Sequence, residues 1–165
     1  MGTRHLISAI IDGQTKIAQY GQWDGYPAGQ GVKVLNFLRN IPARFADNLR
    51  ACHFGTEDEI NEAYAPFSTN GFMSMDQSDA FKKSKFGHLS RDTSADILLR
   101  VAIAPRMLND ASDFANDTMF CEWAYTVDMD ARELRVTNGL GTDTAFSFDD
   151  LPSDADFIKQ LDPED

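Results

Sequence analysis

The chain has 165 residues, 42% of them hydrophobic, and carries a formal net charge of −11. That length suits a single domain, residues 1–165, with a core of its own, and no apolar run approaches the roughly 20 residues needed to cross a bilayer. Direct binding to nucleic-acid backbone is disfavoured, because that demands a basic face.

The N-terminus lacks a basic stretch followed by an apolar one, so no secretory signal is expected and the location is read as cytoplasmic. Cys52 and Cys121 suit that compartment as reduced thiols. With His53 they make only half of a zinc site, and a closed site needs four spaced ligands, so neither metal nor cofactor is expected. The acidity is concentrated: from Asp143 onward eight acids stand against Lys159 alone. Such a segment, 143–165, is either a solvated surface or one that docks on a basic protein partner.

In chain order, Thr3–Ile11 and Gln14–Gly21 are two β-prone runs around Asp12-Gly13, the dipeptide that favours a type I′ hairpin turn. A two-residue turn pairs Ile11 with Gln14, Ile7 with Ala18 and His5 with Tyr20; a bulge would shift the pairs by one. Both faces of the first run are apolar, as in a strand with neighbours on both sides. Val34, Leu38 and Ile41 recur at helical spacing. Pro42 opens a second helix with Phe45, Leu49 and Cys52 inward and Gly55 as its stop. Thr56 and Glu59 form a capping box for a third helix through Tyr64.

Residues 65–93 are read as an insertion or lid without sustained period, whose four phenylalanines argue that it docks. Asp92-Thr93-Ser94 is placed to cap a helix carrying Ile97, Leu98 and Val101. A polar loop is expected over Arg106–Thr118. Phe120–Asp128 and Glu133–Thr137 form a second hairpin, with Cys121, Trp123, Tyr125 and Val127 on one face. Phe146–Phe148 adds an edge, and Ser153 caps a last helix with Phe157, Ile158 and Leu161 inward. Hairpin, helices and hairpin make an α+β fold: an antiparallel sheet built from N- and C-terminal hairpins, with helices packed on it.

The stretch Gln19–Gly31 stands out. Four glycines and a proline mark a loop, yet it holds two tyrosines, a tryptophan and hydrogen-bonding groups, the make-up of a functional loop. Asp24, held against Trp23, is the candidate general acid or base, since desolvation raises a carboxylate's pKa; the competing reading is that it only shapes a turn. Gly29-Gln30-Gly31 leads into a helix whose free N–H groups would seat an anion, or else the glycines merely permit a tight entry. Arg4, expected beside the loop, is a candidate clamp for a negative group. Gln22, Trp23, Tyr26, Gln30 and Gly31 complete the expected lining, and Glu122 or Trp123 reaches it from the second hairpin. An N-terminal nucleophile is disfavoured, because removing Met1 leaves Gly2 and not Thr3.

Thr3-Arg4, the loop Gln-Trp-Asp-Gly-Tyr-Pro at 22–27 with Gly29-Gln30-Gly31, Leu89–Thr93 and Glu122–Tyr125 together resemble a family of small uncharacterised proteins from phages, bacteria and fungi. The resemblance implies a site at the loop and no particular activity. The expected function is binding, with or without hydrolysis, of a small polar, anionic or nucleotide-like ligand at Gln19–Gly31. The alternative is an acidic interaction or inhibitor protein acting on a basic partner through its C-terminal region.

Overall fold

The computed structural model describes residues 2–163. Seven strands and six α-helices follow in the order β1 (His5–Ile11), β2 (Gln14–Gly21), α1 (Val32–Arg39), α2 (Phe45–Ala51), β3 (His53–Phe54), α3 (Glu57–Tyr64), α4 (Met75–Lys83), α5 (Asp96–Ile103), β4 (Met107–Leu108), β5 (Trp123–Asp128), β6 (Glu133–Asn138), β7 (Asp143–Ser147) and α6 (Asp154–Leu161). Five strands form one sheet in the order β2-β1-β5-β6-β7, and β3 and β4 pair separately. The fold is α+β, as the pattern of hairpins and helices implies. The two hairpins are joined side by side through β1 and β5, which run parallel, while the other three pairings of the main sheet are antiparallel.

Side-chain alternation decides what the sheet buries. Ile7, Ala9 and Ile11 of β1, Ile17 of β2, Tyr125 and Val127 of β5, and Leu134 and Val136 of β6 form one core with Val34, Leu35 and Leu38 of α1, Phe45 and Leu49 of α2, Ile97, Leu98 and Val101 of α5, and Phe157 and Leu161 of α6. On β1, Leu6 is buried as well, and the helical turn Ser112–Asn116 lies against β1 and β2 with Phe114 edge-on to Tyr20. The expectation of an interior strand for β1 therefore holds.

Several local readings are corrected. The hairpin opens with Ile11 opposite Gln14, but a bulge between Ala9 and Ile10 then pairs Ala9 with Ile17, Ile7 with Gln19 and His5 with Gly21. Each pair beyond the bulge is one residue off the simple two-residue register, because the extra residue belongs to β2 alone. Gly55 does not end α2: the helix stops at Ala51 and the chain turns into β3, which pairs with β4 inside the presumed polar loop. Cys52 Sγ accepts the Arg106 N–H at 3.3 Å at this junction. No side chain caps α5, whose N-cap is Ala95.

The segment 65–93 is ordered into secondary structure. A capping box of Ser74 and Gln77 starts α4, and Phe81 with Ala63 and Leu89 forms a second small core, flanked by Tyr64, Phe67, Met73 and Phe86. Tyr64 stacks on Phe81 at 4.7 Å. Of the four phenylalanines, Phe81 is buried and Phe72 is exposed. The capping boxes of Thr56 for α3 and the Ser153 cap of α6 stand where the sequence places them. Among the described residues, no helix is long and apolar enough to cross a membrane.

Candidate functional site

The paired strands fix where the Gln19–Gly31 loop lies. His5 is opposite Gly21 on one side and Trp123 on the other, and Trp123 is opposite Asn138. The N-terminal residues, the loop after Gly21, the segment before Trp123 and the turn after Asn138 thus gather at one end of the sheet. The Gly25 N–H donates to the Thr3 carbonyl (3.0 Å), and the Tyr125 hydroxyl, fully buried, donates to the Gly25 carbonyl (2.7 Å). The loop is therefore anchored to the core from below.

Its interior is spent on itself. Asp24 adopts φ +59°, and its carbonyl accepts the Gln30 N–H at 2.8 Å. The Gly29 and Gly31 N–H groups both point at the Tyr26 carbonyl, at 2.9 and 3.4 Å. The row of N–H groups expected to seat an anion is thus consumed inside an irregular helical turn, Pro27–Gly31, that runs into α1. Gln30 is buried, with its side-chain carbonyl accepting the Ala95 N–H at 3.1 Å. Gly31 packs on Tyr125: a Cβ there would stand 2.9 Å from its hydroxyl. Both residues tie the loop to the protein and face no opening.

The outer face carries Trp23, Asp24 and Tyr26, with Trp23 48% and Tyr26 40% exposed. Asp24 is exposed too, away from the desolvating setting expected of a general base; its carboxylate accepts the Tyr26 hydroxyl at 3.3 Å, and its charge raises the phenol's pKa. The turn-forming reading of Asp24 accounts for this geometry. Gln22 accepts the Tyr20 hydroxyl. Arg4 lies with its guanidinium 4.7 Å over the Phe120 ring, its main-chain N–H donates to Glu122 (2.9 Å), and its Nε is buried without a partner. Trp123 stacks on Tyr125 at 6.4 Å.

His5 lies under the loop with no exposed surface. Its Nδ1 is 3.2 Å from the Thr3 carbonyl, which makes Nδ1 the protonated nitrogen, and its Nε2 has no partner. Any side chain at Gly21 would overlap the His5 ring and stand 2.7 Å from Ser94 Oγ. Burial lowers the pKa of His5, against the opposing pull of the Thr3 carbonyl and Asp24, and burial lowers that of His88 likewise. With both folded-state values below the ordinary 6.5, the unfolded chain takes up protons first as the pH falls. The stability tied to these neutral rings is complete above that value and is lost on acidification through it. The urea midpoint should fall between about pH 7.5 and about pH 5.5, and His5→Gln should flatten that slope; an unaltered slope in the variant would remove His5 as a source. The thiols stay passive here: burial, with Asp117 and Glu122 adding to it, pushes Cys121 up to about 11.

A cavity opens beside the end of β2 that carries Gln19 and Tyr20. A cleft of about 400 Å³ is bounded by Gln19 and Tyr20 on the strand, by Tyr64 at the end of α3, and by Phe81, Leu89 and Arg91 from the 65–93 segment. Tyr64 and Asn109 both donate to the Leu89 carbonyl (3.2 and 3.0 Å), and the Gln19 amide donates to the Ser90 carbonyl (3.4 Å), so the walls are cross-braced. Arg91 is exposed and pairs with no carboxylate among the described residues, whereas neighbouring Lys82 holds Asp92 at 2.7 Å. Gln19 and Tyr20 of the Gln19–Gly31 stretch line this cleft, as does Arg91, which lies in one of the segments that carry the resemblance and is not among the expected lining residues.

The C-terminal acids are partly engaged. Asp143 pairs with Arg135 (2.6 Å), Asp149 with Arg132 (3.1 Å) and Asp154 with Arg39 (2.7 Å), and α6 is built into the core through Phe157 and Leu161. The chain matches no family model, no curated protein and no solved structure.

Proposed function

We propose that this protein binds a small anionic molecule with a flat or apolar body, in the cleft between β2 and the 65–93 segment. The observation that carries this is the cleft of about 400 Å³, walled by Tyr64, Phe81 and Leu89, with Arg91 at its rim. Ligand sites are typically concavities of roughly 300–1,000 Å³, mostly apolar with a few placed polar groups. An aromatic wall takes a ring, and an uncommitted guanidinium takes a carboxylate or phosphate with a two-pronged hydrogen bond. The seat adjoins the start of the Gln19–Gly31 loop, and Gln19 and Tyr20 belong to both. Hydrolysis is not part of the proposal, since Asp24 lies on the loop's outer face, outside this cleft.

A thermal-shift screen of nucleoside monophosphates and aromatic carboxylates tests it. A compound at about a hundred times its dissociation constant stabilises by about 2.7 kcal/mol, a shift of several degrees for a chain of this length. Arg91→Ala, at an exposed position, should weaken a hit about tenfold or more while leaving the unliganded midpoint unchanged. A hit kept in Arg91→Ala and lost in Trp23→Ala would move the seat to the loop's outer face.

A further inference from the structure

Away from the cleft, the end of the sheet that gathers the loop, the N-terminus and the 138–142 turn exposes four large apolar side chains: Trp23, Met119, Phe120 and Leu140, the last 95% accessible. Single exposed apolar residues are ordinary, but a contiguous group marks a contact surface. A depression of about 270 Å³ lies between Met119 and Leu140, with Glu122, Trp123 and Asn138 also on its walls.

These side chains are held in place by local structure. The Asn138 side chain accepts the N–H groups of Leu140 (3.0 Å) and Thr142 (2.9 Å), and Gly141 turns the chain at φ +98°. Leu140 is thus presented to solvent by a braced turn. Asp117 accepts the Phe120 N–H with its side chain (3.1 Å) and the Cys121 N–H with its carbonyl (2.8 Å), which fixes Met119 and Phe120 on a second turn. Gly139 passes so close to the Thr118 carbonyl that a Cβ would stand 2.5 Å from it, so the two turns are packed together. Trp123 rests on the buried Tyr125 ring. Glu122 has one carboxylate oxygen held by the Arg4 N–H.

We propose that this end of the sheet docks a partner protein that places a lysine or arginine side chain between Glu122 and Trp123 and covers Met119 and Leu140 with flanking apolar residues. A carboxylate beside an indole face attracts a cation by charge and by the ring quadrupole together. A preformed apolar depression adds contact area at little cost in ordering. The chain's −11 charge draws a basic partner and repels an acidic one. This surface is separate from the cleft, and its test does not depend on any ligand there.

The test titrates the isotope-labelled full chain with three capped pentapeptides, Leu-Gly-Arg-Gly-Leu, Ser-Gly-Arg-Gly-Ser and Leu-Gly-Glu-Gly-Leu, following the Trp123 indole N–H signal by NMR. The first should shift it saturably, and the other two should bind about fivefold or more weakly. Glu122→Gln, which keeps an oxygen for the Arg4 N–H, and Leu140→Ser, both at exposed positions, should each weaken the first peptide by a similar factor. No saturable shift, or equal response to the two arginine peptides, overturns the proposal, the latter by reducing it to net charge. Concentration-dependent dimerisation that Leu140→Ser abolishes would instead seat a second copy here, and overturns it as well.

Discussion

Replacing Tyr125 with alanine should lower the stability of the protein by about 3–5 kcal/mol, the cost of deleting a fully buried aromatic ring. For a chain of this size that is a fall in melting midpoint of roughly 10 °C or more. Tyr125 has no exposed surface, packs under Gly31 and donates its hydroxyl to the Gly25 carbonyl. Two functions are thus joined in one side chain, and Tyr125→Phe separates them. It keeps the ring and leaves the buried Gly25 carbonyl without its donor, which should cost about 1–3 kcal/mol. The phenylalanine variant should also broaden or move the NMR signals of Trp23 and Tyr26, because the loop's outer face stands on that carbonyl. An unchanged midpoint and unchanged loop signals would show that the loop is anchored from elsewhere, through the Thr3 carbonyl and Gln30.

Phe157→Ala should be comparably damaging, at about 3–5 kcal/mol. Phe157 is buried from α6 into the main core and meets Phe146 of β7 with ring centres 5.2 Å apart. Removing α6 altogether should therefore unfold the chain, and loss of function on such a truncation would say nothing about a charged tail. Charge substitutions make the distinction. The Arg132–Asp149 pair is exposed on both sides, and exposed pairs contribute about 0–1 kcal/mol. Asp149→Asn with Asp150→Asn should leave the midpoint within about 2 °C. If that double variant melts as low as Phe157→Ala, these acids hold the fold and are not a spare docking face.

The parts of the fold legible in the residues are those whose energetics are local. Asp12-Gly13 specifies a tight turn because few residues accept the positive φ that Asp12 and Gly13 adopt, +53° and +71°. Thr56 with Glu59 and Ser153 mark helix starts because their side chains satisfy N–H groups within three residues. Ser74 with Gln77 is the same device in the 65–93 segment. It is easily passed over, because α4 buries only Phe81 and lacks the apolar stripe that normally announces a helix. The bulge between Ala9 and Ile10 leaves no comparable mark, since alternation continues on both sides of it.

The candidate site divides in the same way. That Gln19–Gly31 is an unusual loop is readable from its aromatics and glycines. Arg4 and Trp23 are expected beside either Glu122 or Trp123; the strand pairing brings these segments to one end of the sheet, and Glu122 and Trp123 both line one depression there. Composition and turn chemistry alone thus determined the hairpins, the caps of α3 and α6, the α+β class and the position of the loop, because each is settled by neighbours a few residues apart. The tertiary structure alone decided that β1 and β5 run parallel, that Tyr26 and Asp24 consume the loop's own N–H groups, and that Gln19 and Arg91 line one cleft. Those outcomes rest on segments tens of residues apart competing for the same hydrogen bonds and the same buried surface, a competition that no local pattern records.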